Sequence, residues 1–379
     1  MRVLFLASDP ALGPDVPYGD SIRVRLLLDA LRRLGHDVDV RWAGPAPAPG
    51  GPVGPARSRR VPESVLHVLR DLRSLARAAR FAFDALRAPK PDVVLEFAAY
   101  LAPVGQLAAR RYRVPYVVEV EGPLAELRYE RPGLSLRAVG DALERRRLRA
   151  AAAVVAVSQP LADHLVTLGT RRDRTVVVPN VADGARFGPD AERRAATRAR
   201  LGLPDDVVVA GFHGVFAPWY RLDELVEAVA GRSGLALLLV GDGVERERVE
   251  AAIARRRAHD QVIVTGFVTH DEVAGYVDAF DIGVVADHVW WTSPLKLFEY
   301  GAMHKPVVAA RAKSVTAVAE DGEVRFAERH ELGDVLAALA ADPEERERLA
   351  GRWAERVRRD YSLESLTARL GAVLDGVVR

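Results

Sequence analysis

Cysteine is absent from this 379-residue chain, which excludes disulfides and thiolate metal sites and points to a reducing compartment. No apolar run reaches the roughly 20 residues of a membrane-spanning helix. The opening Met1-Arg-Val-Leu-Phe-Leu-Ala-Ser8 is too short and too soon polar for a signal peptide, so it reads as a first strand and the chain as cytoplasmic. Charge of one sign is scarce, since 54 Lys and Arg against 52 Asp and Glu leave +2, too little to argue for nucleic acid binding. Lysine is scarcer still. Lys90, Lys296, Lys305 and Lys313 are the whole set; the arginine bias reads as genome composition, yet two of the four lysines fall between Trp290 and Pro306. What remains is 49% hydrophobic and 28% charged, the profile of a globular protein long enough for two domains.

The stretch Trp290 to Pro306 organises the reading. Apolar runs bounded like buried parallel strands flank it, Asp281 to Ala286 before and Pro306 to Ala310 after. Between them the sequence predicts a helix in which Ser293 is the cap and Pro294 the first helical residue. Its first-turn amides and positive dipole end then face the mouth of the sheet, where a phosphate belongs. Lys296 lies in that first turn, and Glu299, one turn on, is placed to accept two sugar hydroxyls. An ordinary crossover helix with Lys296 and Glu299 as a solvated i,i+3 pair is the competing reading.

Strand patterns recur from the start. Val3 to Ala7, a Pro/Gly-rich loop from Asp9 to Gly19, a helix from about Ser21 to Leu34 and the strand Asp37 to Trp42 make one β-loop-α-β unit. Gly19, at the helix mouth, allows close approach of a ligand or is a plain turn glycine. Residues 43 to 60 read as a mobile connection. A basic amphipathic helix follows over about Glu63 to Arg87, with Leu66, Leu69, Leu72, Leu75 and Phe83 set against Arg70, Arg73, Arg77, Arg80 and Arg87. Packing of its apolar face on the sheet is favoured over an anionic membrane surface. Further strands at 92–97, 116–120, 153–157 and 175–178 spell an open doubly wound sheet. Glu121, just past the run at 116–120, is a candidate for the acceptor side or a water-facing carboxylate.

Pro179 to about Asp206 reads as an interdomain linker. A second series then runs through 207–213, 235–240, 261–265, 281–286 and 306–310. Its strand-end turns supply further candidates. His213-Gly214 precede Arg221, a fixed positive charge for a diphosphate, and Gly266-Phe-Val268 is placed to hold a planar base by its backbone beside Phe267. Gly241-Asp-Gly243 is a weak G-x-G that reads as a tight turn. Neither a His-x-x-x-His helix nor a nucleophile-base triad appears, so no metal site is expected.

These residues resemble the retaining, nucleotide-sugar-dependent glycosyltransferases of the GT-B fold, in the large group four of that classification. Tyr18-Gly19, Leu34-Gly-His-Asp-Val38, Val178-Pro-Asn-Val-Ala-Asp183, Val240-Gly-Asp-Gly243, Thr265-Gly-Phe-Val268, Ser293-Pro-Leu-Lys-Leu-Phe-Glu-Tyr300 and Lys305-Pro-Val-Val-Ala309 carry the resemblance in order along nearly the whole chain. It implies an α/β protein of two Rossmann-like parallel-sheet domains facing across a cleft, an acceptor-binding one at 1–185 and a donor-binding one at 186–360, with the helix of 361–379 crossing back. It implies transfer of a hexose-type sugar from a nucleoside diphosphate, UDP most of all, to a hydroxyl of a small natural product such as an aminocyclitol or of a glycan, with no metal. On the donor side it places Gly19, His213, Gly214, Arg221, Phe267, Val268, Thr292, Ser293, Lys296, Leu297 and Glu299, and it gives Glu121, Arg221 and Lys296 the catalytic roles. The pattern departs at four places: Trp291 stands where the first of two glutamates is usual, Val215 and Tyr220 where an arginine and a lysine are usual, and Tyr18 where a first glycine is usual. The missing glutamate keeps two rivals open, a nucleotide-sugar-binding protein without transfer and an epimerase on the same fold. Oligomeric state is not legible.

Overall fold

The computed structural model describes all residues except 15–18, 45–62, 125, 127–135, 287–288 and 379. Tyr18 and most of the connection expected at 43–60 therefore lie outside the described residues. Contacts divide the chain into two compact units, one formed up to residue 179 and again from 366, the other from 180 to 365.

In the first unit β1 (Arg2–Ala7), β2 (Asp37–Trp42), β3 (Val93–Phe97), β4 (Tyr116–Val120), β5 (Ala153–Ala156) and β6 (Thr175–Val177) form one parallel sheet in the order 2-1-3-4-5-6. Its β-branched central strands β3, β4 and β5 are buried throughout, as a parallel sheet covered on both faces requires. Helices α1 (Gly19–Arg33), α2 (Glu63–Ala85), α3 (Val104–Tyr112), α4 (Arg137–Ala150) and α5 (Gln159–Thr167) connect them. Ser158 caps α5, accepting from the Leu161 N–H at 3.2 Å.

The second unit carries β7 (Val208–His213), β8 (Leu235–Val240), β9 (Val262–Val264), β10 (Ile282–Val285), β11 (Val307–Ala309) and β12 (Arg325–Phe326), in the order 12-11-10-7-8-9 and parallel. Renumbered from its own first strand, this is the doubly wound dinucleotide-binding order, whose reversal falls between β7 and β10. Ligands of such sheets bind at the carboxyl ends of the strands at that reversal. The helices are α6 (Ala191–Leu201), α7 (Leu222–Val229), α8 (Arg246–Arg256), α9 (His270–Asp278), α10 (Leu295–Ala302), α11 (Lys313–Thr316), α12 (Leu332–Ala341) and α13 (Pro343–Asp360). The last helix, α14 (Leu363–Val378), returns the chain to the first unit from residue 366 on.

Two expectations change here. The expected linker to Asp206 contains α6, capped by Asp190, whose side chain accepts from the Arg193 N–H. The helix is fixed by ion pairs rather than apolar burial: Arg194 to Asp281 at 2.6 Å, Arg198 to Asp281 at 3.1 Å, and Arg193 to the buried Asp278. Its composition is that of a linker, and its partners make it part of the second unit. The division between units also falls at 179/180, a few residues before the 185/186 expected. Asn180 explains the position, because its backbone N–H donates to Ser293 Oγ at 2.9 Å and its side chain to the Ser293 carbonyl at 2.7 Å.

Candidate active site

Helix α10 follows β10 at the strand reversal of the second unit, and its residues from Lys296 to Gly301 are all buried. Most of the helix is apolar, which suits it to the interior, and its two charged residues, Lys296 and Glu299, need partners there. Against the sheet, Tyr300 fills the space over Gly283, where a Cβ would come within 2.5 Å of the ring. On the other side the Trp353 indole of α13 donates to the Leu297 carbonyl at 2.8 Å. Leu297, expected at the donor site, is therefore a core side chain with no exposure. Ser293 is not the cap. Pro294 occupies that position without a side-chain bond, and the buried Ser293 hydroxyl is committed to Asn180. Thr292 beside it is half-buried.

Lys296 leaves the first turn toward the loop after β7. Its Nζ donates to the Tyr220 hydroxyl at 2.9 Å and stands 4.0 Å over the Tyr220 ring and 5.0 Å from the Phe212 ring centroid. A Cβ placed on Gly214 would lie 3.8 Å from that ammonium. The lysine, 6% exposed, is thus held by one hydroxyl and two π faces. Glu299, one turn on, meets His213 from the end of β7, with Nε2 to Oε2 at 3.1 Å and both residues buried. The His213 N–H is anchored by the Tyr300 hydroxyl at 3.3 Å. His213, Gly214, Lys296 and Glu299 are therefore brought together as the sequence implies, and Tyr220 joins them.

Arg221 neighbours this group but is differently engaged. It stands at φ +48°, just before α7, and its guanidinium pairs with Glu224 at 2.8 Å, half-exposed. Its charge is compensated where that of Lys296 is not met by a carboxylate in these contacts. The Gly241 turn does more than reverse the chain: at φ +137° a Cβ there would fall 2.1 Å from the Gly214 carbonyl, and Gly241 bridges to Gly266. Only glycine fits so close a backbone approach. The loops after β7, β8 and β9 are stitched together, with Phe267 exposed at the rim and Val268 packed partly on the core.

Gly19 and Glu121 belong to the first unit. Gly19 opens α1. Glu121 lies past the end of β4 in a group of carboxylates around one arginine. Arg23, fully buried, donates from Nε to Glu119 at 2.7 Å and from its other nitrogens to the carbonyls of Pro179 and Val178 at 2.9 Å each. That leaves Glu121 only a 3.7 Å approach to Arg23. Burial and the negative charge of Asp20 hold the Glu121 carboxyl well above the usual carboxylate range. Burial and Asp9 push Asp20 up to about 6, and Asp9 is itself raised by burial. Asp9 and Asp20 were not singled out from the sequence. The signal was present, since Asp9 follows β1 and Asp20 opens α1, at the reversal of this sheet between β1 and β3.

Two family models match the chain: a glycosyl transferase 4-like domain over residues 19–181 and glycosyl transferases group 1 over residues 193–358. Among characterised relatives, the α-D-kanosaminyltransferase of Streptomyces kanamyceticus is 27% identical over 70% of this chain and 72% of its own. The 2-deoxystreptamine glucosyltransferase of the same organism is 32% identical over 47% and 48%. A D-inositol 3-phosphate glycosyltransferase of Acidothermus cellulolyticus is 32% identical over 65% and 58%, so this chain spans about half to three quarters of these relatives. In structure it is similar to HepE of Anabaena, solved in complex with UDP (TM-score 0.73, 18% identity, 99% of this chain and 100% of that one). It is also similar to a sucrose-phosphate synthase from Thermosynechococcus elongatus (TM-score 0.78, 20% identity, 99% and 98%). With two parallel sheets and both family models, the chain belongs with the glycosyltransferases of the GT-B fold.

Proposed function

We propose that this glycosyltransferase moves a hexose-type sugar from a nucleoside diphosphate donor, UDP first among the candidates, to an acceptor hydroxyl with retention at the anomeric carbon. The observation that carries the reading is the buried Lys296 ammonium, presented beside the start of α10 at the strand reversal of the second unit and balanced there by π faces and a hydroxyl. In the proposed step the bond between sugar C1 and the phosphate oxygen breaks, the acceptor oxygen attacks C1 from the same face, and the departing phosphate oxygen takes the acceptor's proton. Negative charge develops on the diphosphate, where Lys296 and the helix start stabilise it, with Arg221 a secondary cation because Glu224 already holds it. Glu299, oriented by His213, accepts the ribose hydroxyls, and the Gly266 to Val268 loop takes the base. No metal enters this proposal. On the acceptor side Glu121, with its raised affinity for a proton, positions the hydroxyl. The names of the streptomycete relatives favour an aminocyclitol-like acceptor over a glycan.

A thermal-shift panel of UDP, GDP, ADP and dTDP tests the donor assignment. The bound nucleotide at a hundred times its Kd raises Tm by roughly 5 to 10 °C, and no shift with any of the four overturns the reading. Trp291 in place of the usual glutamate favours a second reading, nucleotide-sugar binding without transfer. Incubation with nucleotide sugars separates the two: slow donor hydrolysis supports a transferase, and binding without hydrolysis supports the rival.

A further inference from the structure

Helix α2 turns outward several residues expected to cover the sheet. Among its described side chains the buried ones are Asp71, Phe81, Ala82 and Ala85, while Leu69 is 42%, Leu72 51% and Phe83 58% exposed. Positions 69, 72, 76, 80, 83 and 87 follow one another at helical spacings of three and four, so the exposed apolar groups lie in one stripe along the helix. Arg73, Arg77, Arg80 and Arg87 stand in or beside that stripe, exposed, and among the described residues none of the four has a carboxylate partner. Arg87 instead lies 3.9 Å over the Phe83 ring. Asp84, the acidic residue on this side, is 3.6 Å from Arg41. Neighbouring α3 is tied to the end of α2 by the Tyr112 hydroxyl, 3.1 Å from the Ala85 carbonyl and 2.7 Å from that of Ala88. It adds exposed Leu107 and, one turn later, Arg111.

We propose that this face of α2 docks on an anionic phospholipid surface, with Leu69, Leu72 and Phe83 entering the headgroup boundary and the guanidiniums meeting lipid phosphates. Charge decides the occupant. A second copy of the same face would oppose arginine to arginine, and a nucleic acid would leave the leucines and the phenylalanine in water. A lipid surface satisfies both kinds of side chain at once. The helix does not cross the bilayer, and no described helix is long and apolar enough to do so.

The test is sedimentation of the full chain with vesicles of phosphatidylcholine alone and of phosphatidylcholine with about one third phosphatidylglycerol, at low and at high salt. The expected result is binding to the anionic vesicles only, lost at high salt and weakened about fivefold for each of Arg73→Gln, Arg77→Gln and Arg80→Gln. The pair Leu72→Ser and Phe83→Ser weakens it at least about tenfold. Because these side chains are exposed, each variant keeps the Tm of the parent, which separates lost docking from lost folding. Equal binding to both vesicle types, or variants that sediment like the parent, overturns the proposal. So does a dimer in solution that the Leu72→Ser, Phe83→Ser pair dissociates without vesicles. The readout involves no nucleotide sugar, so it stands or falls apart from the proposed transfer.

Discussion

The carboxyl edges of the two sheets are built on the same βα plan and carry opposite chemistry. In the first unit the strand reversal gathers Asp9, Asp20, Glu119 and Glu121 around Arg23, whose donors go to Glu119 and to two carbonyls, so surplus carboxylates are left with raised proton affinity. In the second unit the reversal gathers a buried lysine held by aromatic faces and a glutamate held by histidine. Topology supplies the place; side chains decide what is held there. In the proposed transfer the lysine-bearing edge meets an anion, and the carboxylate-bearing edge meets a group that gives up a proton or carries positive charge.

Removing the cation tests this contrast most severely. Lys296→Ala takes away charge that the proposed transition state uses, and kcat falls about 10²- to 10³-fold. Arg221→Ala, with its guanidinium already paired to Glu224, costs much less. If both variants turn over like the parent, the cationic edge does not hold the diphosphate.

A crossed pair of carboxylate variants sharpens the division of labour. Glu299→Gln weakens a charged hydrogen bond to the donor, worth about 1.5 to 3 kcal/mol, and raises the donor KM while leaving the acceptor KM alone. Glu121→Gln does the reverse, raising the acceptor KM with UDP affinity by calorimetry unchanged. A shared effect on both substrates in both variants would erase the contrast.

Tyr220→Phe asks how much of the lysine's placement depends on one hydroxyl. The ring face stays and the 2.9 Å bond to Nζ goes, a loss of about 0.5 to 1.5 kcal/mol. Steady-state kinetics should show kcat lowered about two- to tenfold with the parent Tm retained. An unchanged kcat would mean that packing alone positions Lys296.

Strand runs, their parallel order and the glycine turns were legible because buried β-branched runs and strand-end glycines are local signals. His213, Gly214, Lys296 and Glu299 were legible for the same reason, each lying at the end of a strand or the start of a helix. Tyr220 was visible only as a departure from the family pattern, since its role depends on Lys296, far away in sequence. Helix α6 was misread because charge-paired arginines look like solvated ones until Asp278 and Asp281 are seen beside them. Ser293 was misread as a cap because a hydroxyl before Pro-Leu-Lys fits that pattern, and its true partner, Asn180, is a long-range one. In α2 the residue types were right and the face was wrong, as hydrophobic periodicity finds an apolar stripe without saying what it meets.

The smallest expected effect concerns the carboxylates of the first unit. Burial and the charge of Asp9 raise Asp20 from about 3.8 to about 6. The folded chain therefore keeps a proton there that the unfolded chain releases earlier. Where the native state binds more protons, stability falls as pH rises, so Asp20 lowers stability progressively between about pH 4 and about pH 6, with no further change above. Glu121, raised by burial and by the charge of Asp20, extends the trend upward, and Glu119, raised by burial despite its pair with Arg23, adds to it. Asp20→Asn should raise Tm at pH 7 and flatten the decline between pH 4 and pH 6. The gain is modest, because Asp20 keeps access to solvent on one side, which screens its charge. Thermal scans across that window check it, and a variant whose Tm profile parallels the parent's would mean that Asp20 ionises in the folded chain at its ordinary value and that the two edges differ less than their residues imply.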